Sequence, residues 1–308
     1  VRSRGLGDVY KRHGFGIFFS TLGAVCYGTN PLFALNLYKG GLSANSVLFY
    51  RYSIAMVLFG LWTHFVKKVP LKLAKNEIVP LFIMGMLFAF SSVTLFYSYS
   101  YIDAGIASVL LFVYPVFVAL IMFIFFREKI SKNIIFSIGL VLLGIYLFYQ
   151  GKNGQTLNLK GLGLVMISSF SYALYMVGVQ VVPLLKKMNS SKLTFYVMLF
   201  GLMLFVYNLD FCTKLQPISQ PIMWLWVILL SILPTIISIE ALTISIKLIG
   251  STLSAIISAL EPVSAMILCV VFLHEEITLK IILGMILILG AVYIIIKDNE
   301  KKDKAKKA

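Results

Sequence analysis

Charge is scarce in this sequence. Only 13% of residues are Asp, Glu, Lys or Arg, and acids are scarcer than bases, at 12 against 27. A soluble domain carries about a quarter charged residues, so two water-soluble domains of this combined length are excluded. Cysteines number three, Cys26, Cys212 and Cys269. They are far apart and lack metal spacing, so neither a disulfide framework nor a zinc site is expected. His13, His64 and His274 are scattered, and no cluster with Cys or carboxylates points to a metal. A glycine-lysine phosphate loop is missing, which argues against ATP hydrolysis. No cofactor is implied. Alternating polarity is missing too, which excludes an outer-membrane barrel.

What is present is apolar. Sixty per cent of residues are hydrophobic and the mean hydropathy is +0.94. Spanning about 30 Å of hydrocarbon takes about 20 residues. Ten segments qualify: 14–37, 45–66, 77–99, 104–126, 133–150, 159–183, 193–209, 221–245, 250–273 and 279–296. The first follows Arg2, Arg4, Lys11 and Arg12, as in a signal peptide, but runs on too far and is read as a retained span. Placing the N-terminus inside and alternating puts 21 Lys and Arg in inner segments and 5 in outer ones, with Arg51 inside a span. That asymmetry fits the positive-inside rule with both termini cytoplasmic, in the cytoplasmic or inner membrane. The net charge of +15 is then a topology signal, and nucleic acid is not an expected partner. The tail 297–308 is expected to be solvated at the membrane surface.

The chain also repeats itself. Shifted by 147 residues, Pro115–Tyr149 aligns without a gap on Pro262–Ile296, with ten of 35 positions identical. Pro115/Pro262, Glu128/Glu275 and Tyr146/Tyr293 are the informative pairs, and Gly14/Gly161 and Gly16/Gly163 obey the same shift. Each half holds five spans. Five is odd, so the halves lie in opposite orientations, a plan of secondary transporters with a site at the repeat interface.

Those residues resemble the EamA family of the drug/metabolite transporter superfamily, over 14–150 and 159–296. The carriers are Tyr114-Pro115 followed by Arg127-Glu128-Lys129-Ile130-Ser131, and Leu260-Glu261-Pro262-Val263 followed by His274-Glu275-Glu276-Ile277-Thr278. Arg51, within Phe49-Tyr50-Arg51-Tyr52, matches a recurrent arginine of the family. The first half departs from the pattern at Tyr114, where the second has Glu261. The resemblance implies an all-α membrane protein of ten helices in a 5+5 inverted repeat, with a substrate cavity between the halves. It implies transport of small metabolites such as amino acids, other polar compounds or nucleotide sugars. A homodimer is compatible with it.

Ionisable groups inside spans are costly and mark function by default. Three stand out: Arg51, Glu240 and Glu261. All three are expected at a central wet cavity. Arg51 suits a carboxylate or phosphate. Glu261 suits an amine or a proton, and Glu240 is the second coupling candidate. The competing reading is an internal ion pair of Arg51 with either Glu that only fixes packing. Tyr114 is the preferred aromatic candidate for substrate contact, with Tyr172 and Tyr175 beside Ser171 in support. Pro115 and Pro262 break their helices at matching places and are read as hinges, against an ordinary kink.

Smaller features have plainer readings. Ser20, Ala24 and Gly28, and Ser251, Ala255 and Ala259, form small-residue stripes that let helices approach. Tyr99, Tyr101, Trp62, Trp224 and Trp226 are read as interface aromatics. Glu128 and Glu275 are read as caps or members of local salt bridges. The function expected is export of amino acids or related metabolites by alternating access, without ATP. The alternatives are a nucleotide-sugar or organophosphate exchanger using Arg51 and Lys247, or a receptor or channel. A membrane-embedded enzyme is disfavoured because no nucleophile/base constellation appears.

Overall fold

The computed structural model describes residues 2–127, 132–149, 157–249, 254 and 257–307. Among them every regular element is helical. Seven helices are long and apolar enough to cross a membrane: Ala44–Val66, Lys75–Ser98, Ala104–Phe126, Leu159–Val181, Ser190–Asn208, Pro221–Ser245 and Leu279–Asp298. Two shorter apolar helices, Lys132–Phe148 and Leu260–Leu273, fall on the fifth and ninth expected segments. The first expected segment is divided between Arg2–Gly28 and Asn30–Lys39. Side chains on the outer surface are large and apolar, with Phe125 70%, Ile124 64% and Leu142 62% exposed. Such a surface is stable against hydrocarbon, not water. The chain is a multi-pass membrane protein.

The breaks in these helices have local causes. Thr29 separates the first pair, and Pro31 opens the second member; a proline has no N–H to continue the ladder. Thr29 Oγ1 turns back to the Cys26 carbonyl at 2.6 Å. Phe112 and Val113 separate Ala104–Leu111 from Tyr114–Phe126, where Pro115 opens the second piece. Ala259 is a turn just before Leu260–Leu273, where Pro262 is in the first turn. Both of these later pieces end on a left-handed residue, Arg127 at φ 54° and His274 at φ 57°. Those two positions are 147 apart, so the repeat seen in sequence extends to backbone conformation.

Helix pairing exchanges with the halves. Arg2–Gly28 packs on Ser238–Ile249 and on Leu260–Leu273. In the other half Leu159–Val181 packs on Lys75–Ser98 and on Tyr114–Phe126. Lys132–Tyr149 packs on Leu279–Lys307. Glu275 ties the halves at one end. Its carboxylate accepts from the backbone N–H of Ala104 at 2.8 Å and Gly105 at 3.1 Å. It therefore caps a helix of the other repeat. Negative charge at a helix N-terminus is stabilising there. Glu128, its partner in the repeat, lies outside the described residues.

The readings of Tyr99 and Trp226 need correction, and two other features gain detail. Tyr99 is buried beside Phe96, at 5.5 Å between ring centroids, and is no interface aromatic. Trp226 packs on Phe33 at 5.9 Å, whereas Trp62 and Trp224 are exposed. Helix Leu279–Lys307 continues through the basic tail, and Asp298 is buried, accepting from Asn133 Nδ2 at 2.9 Å. The stripe on the first helix is a close contact: Ser20 Oγ donates to the Ser254 carbonyl at 3.1 Å. Ser251 and Ala255 lie outside the described residues.

Gly28 sets how near the first and ninth segments come. A methyl there would meet Ser264 Oγ at 2.1 Å and the Ala265 nitrogen at 2.9 Å. Gly163 has open space around the same position. Gly28→Ala is expected to destabilise by about 1–3 kcal/mol, the cost of overpacking, and Gly163→Ala to leave thermal unfolding in detergent unchanged.

Candidate functional site

The helix breaks meet around one cavity of about 260 Å3. Tyr27 and Asn30 reach it from either side of the Thr29 break, Phe112 and Tyr114 from the second break, Ser258 and Glu261 from the third. A fourth irregularity, the π-helical turn Ile232–Ile237, supplies Pro234 and Thr235. Pro234 cannot donate within its helix, and wide turns of this kind recur at functional sites. In hydrocarbon each unpaired backbone group costs several kcal/mol, so irregular backbone survives only where protein or a polar cavity covers it.

Arg51 is 5% exposed and lines this cavity. Its Nη1 donates to Asn30 Oδ1 at 3.0 Å, and its Nε donates to Thr235 Oγ1 at 3.1 Å. The guanidinium carbon is 5.7 Å from the centroid of the Phe96 ring, a cation–π distance. Thr235 Oγ1 in turn donates to the Leu230 carbonyl at 3.3 Å. Among the described residues the charge is thus held by neutral acceptors and a ring, without a carboxylate. A guanidinium has five donors, so donors remain for a ligand. Asn30 and Thr235 were not legible as partners from the sequence. The signal available was a polar residue next to a proline inside a span, Asn30-Pro31 and Pro234-Thr235.

Glu261 lines the same cavity from the first turn of Leu260–Leu273. Its carboxylate makes no hydrogen bond or ion pair with protein among the described residues. The internal Arg51–Glu pair, considered from sequence, is not formed among the described residues. The same cavity has an aromatic wall. Tyr114 meets Tyr172 at 4.8 Å and 85°, Tyr172 stacks on Tyr175 at 5.9 Å, and Phe88 meets Tyr175 at 5.2 Å. Arg51, Tyr114, Tyr172, Tyr175 and Glu261 are therefore brought together; Tyr27, Asn30, Thr235 and Phe88 are additions.

Glu240 is the exception. It does not line the cavity but pairs with Lys67 at 2.5 Å. On its helix it is two residues from the cavity-lining Ser238 and Leu242, and that offset turns it away. Pro115 is next to the cavity residue Tyr114, and Pro262 is next to Glu261. The side chain of Lys247 lies outside the described residues.

Comparison with known proteins agrees with this architecture. The model of the EamA-like transporter family matches residues 14–150 and 159–297. Uncharacterized transporter YdfC of Bacillus subtilis (strain 168) is 25% identical over 244 residues, covering 78% of this chain and 76% of its own. Uncharacterized transporter YcbK of the same organism is 25% identical over 299 residues, covering 92% of each. A protein of known crystal structure superposes with a TM-score of 0.64 at 15% identity, covering 91% of this chain and 97% of that one; it shows the fold alone.

Removing Asn30 tests how Arg51 is held. Asn30→Ala takes away an acceptor from a buried cation and is expected to destabilise by about 1.5–3 kcal/mol, the worth of a hydrogen bond to a charged group. Thermal unfolding of purified protein reads it, with the double variant Asn30→Ala/Arg51→Met recovering most of the loss.

Proposed function

The chain belongs to the EamA-like transporter family, and from that premise we propose a secondary carrier that exports amino acids or closely related amphoteric metabolites by alternating access. The observation that supports this reading is the cavity itself. It offers a guanidinium with spare donors, an uncommitted carboxylate, and tyrosine rings in the same wall. An amino acid presents the complementary set. Its carboxylate suits the planar fork of Arg51, its ammonium suits Glu261 and the faces of Tyr114, Tyr172 and Tyr175, and its side chain suits the apolar remainder of the wall.

Size and charge favour this substrate over the alternatives. The cavity is smaller than the roughly 300–1,000 Å3 typical of drug-sized ligands, which disfavours a nucleotide sugar. Arg51 is the single Lys or Arg among its described lining residues, and a doubly charged phosphate calls for more. The same reading has ten spans in two inverted repeats with both termini cytoplasmic; the loop charges and the helix pairings that exchange with the halves support it. Proton coupling is assigned to Glu261, since Glu240 is committed to Lys67. Pro115 and Pro262 act as hinges beside the two cavity positions that the repeat equates, Tyr114 and Glu261.

Counterflow in proteoliposomes tests the reading. Wild-type protein is expected to exchange an amino acid saturably. Arg51→Ala, inserted normally, is expected to raise the half-saturation concentration about ten- to a hundredfold, from loss of a charged hydrogen bond worth about 1.5–3 kcal/mol. Unchanged exchange by that variant contradicts the role of Arg51.

A further inference from the structure

Lys67, Glu240 and Ser191 meet at the lysine-rich end of the bundle. Lys67 Nζ is 2.5 Å from Glu240 Oε2 and donates to Ser191 Oγ at 3.0 Å. The two ionic side chains are 27% and 19% exposed, so the pair is partly withdrawn from solvent. Lys67 belongs to the first repeat; Ser191 and Glu240 belong to the second. The contact lies within a helical turn of the cavity lining on two helices. Ser191 is one helical turn before Thr194, and Glu240 follows Ile239; both Thr194 and Ile239 line the cavity. Each ionic partner is next to a π-helical turn, Trp62–Val66 before Lys67 and Ile232–Ile237 before Glu240.

We propose that Lys67, Glu240 and Ser191 form a gate that closes the cavity at the lysine-rich end, tied to the substrate site through the turn Ile232–Ile237. The tie is direct. Arg51 holds that turn through Thr235 Oγ1, and Ser231 Oγ, just before the turn, is 3.2 Å from the Arg51 carbonyl. A ligand that draws the guanidinium towards itself loosens Thr235. The same helix carries Glu240 five residues later. A π-helical turn is a local bulge within an α-helix, frequent at functional sites. It can shift Glu240 relative to Lys67 without unfolding the helix. Both partners keep some exposure, at 27% and 19%, so solvent screens the pair and its strength is modest. A pair that breaks and reforms in each cycle needs that modest strength, because a much stronger one would stay shut.

This gate rests on the carrier reading, but its test needs no substrate. Val197, which lines the cavity, is replaced by Cys in protein whose Cys26, Cys212 and Cys269 are Ala. A membrane-impermeant maleimide is applied in proteoliposomes from the lysine-rich face. Lys186→Cys in the same background, exposed on that face, fixes the sidedness and the rate of an open position. Lys67→Met and Glu240→Gln are each expected to raise labelling of Val197→Cys at least fivefold. The exchanged pair Lys67→Glu/Glu240→Lys, which restores the attraction, is expected to return it near the parent rate. Labelling of the single variants at the parent rate, or of the exchanged pair as fast as the singles, overturns the gate. Thr235→Val is expected to raise labelling as well, and an unchanged rate there overturns the tie to Arg51. Loss of transport activity alone alters none of these outcomes.

Discussion

A peptide group in hydrocarbon must find a partner within the protein, and this requirement organises the whole chain. It makes the spanning segments helical. It also dictates where a helix is allowed to stop. Three breaks, at Thr29, at Phe112–Val113 and at Ala259, together with the π-helical turn Ile232–Ile237, contribute residues to one cavity. A break elsewhere, facing lipid, leaves carbonyls and amides unpaired at several kcal/mol each. The same breaks let side chains such as Asn30, Thr235 and Glu261 project inward from helix ends. The polar cavity and the irregular backbone therefore stabilise each other.

The two repeats have been used differently on a shared frame. Arg127 and His274 terminate corresponding helices in the same left-handed conformation, and Pro115 and Pro262 open them. The preceding residue differs: Tyr114 in one, Glu261 in the other. Both line the cavity, so the pseudo-symmetric frame carries an asymmetric site, with a tyrosine at one repeat position and a carboxylate at the other. A site with one cation and one anion distinguishes the two ends of an amphoteric molecule. Arg51, held by Asn30 and Thr235 from different segments, keeps its orientation while retaining donors.

Much of this was legible in the sequence. Composition gave the membrane, because no soluble globule of this size hides so many apolar residues. The 147-residue shift located the two prolines and the Tyr114/Glu261 exchange, since repeat alignment acts on residue identity alone. The charges at Arg51 and Glu261 were conspicuous against hydrocarbon, as were the tyrosines near them. Glu240 misled for a physical reason. Depth along a span is set by sequence number, but the direction a side chain faces is set by rotation, and the turn Ile232–Ile237 alters that rotation just before Glu240. Asn30 and Thr235 were missed because short polar side chains inside spans usually bond their own helix. Their partner, Arg51, is 21 residues from one and 184 from the other. Glu275 was read as a cap or a member of a local salt bridge; that the helix end it caps is 171 residues away was not legible from its own hairpin.

The central claim is that the cavity between the helix breaks is the place where substrate sits during transport. Substrate protection of a cavity cysteine tests it most directly. Ser258→Cys is placed in the wall, amino acids are screened singly for saturable counterflow, and maleimide labelling is measured with and without each. The account predicts that a compound which exchanges saturably also slows labelling, with half-protection near its half-saturation concentration. Saturable exchange of a compound that leaves the labelling rate unchanged contradicts it.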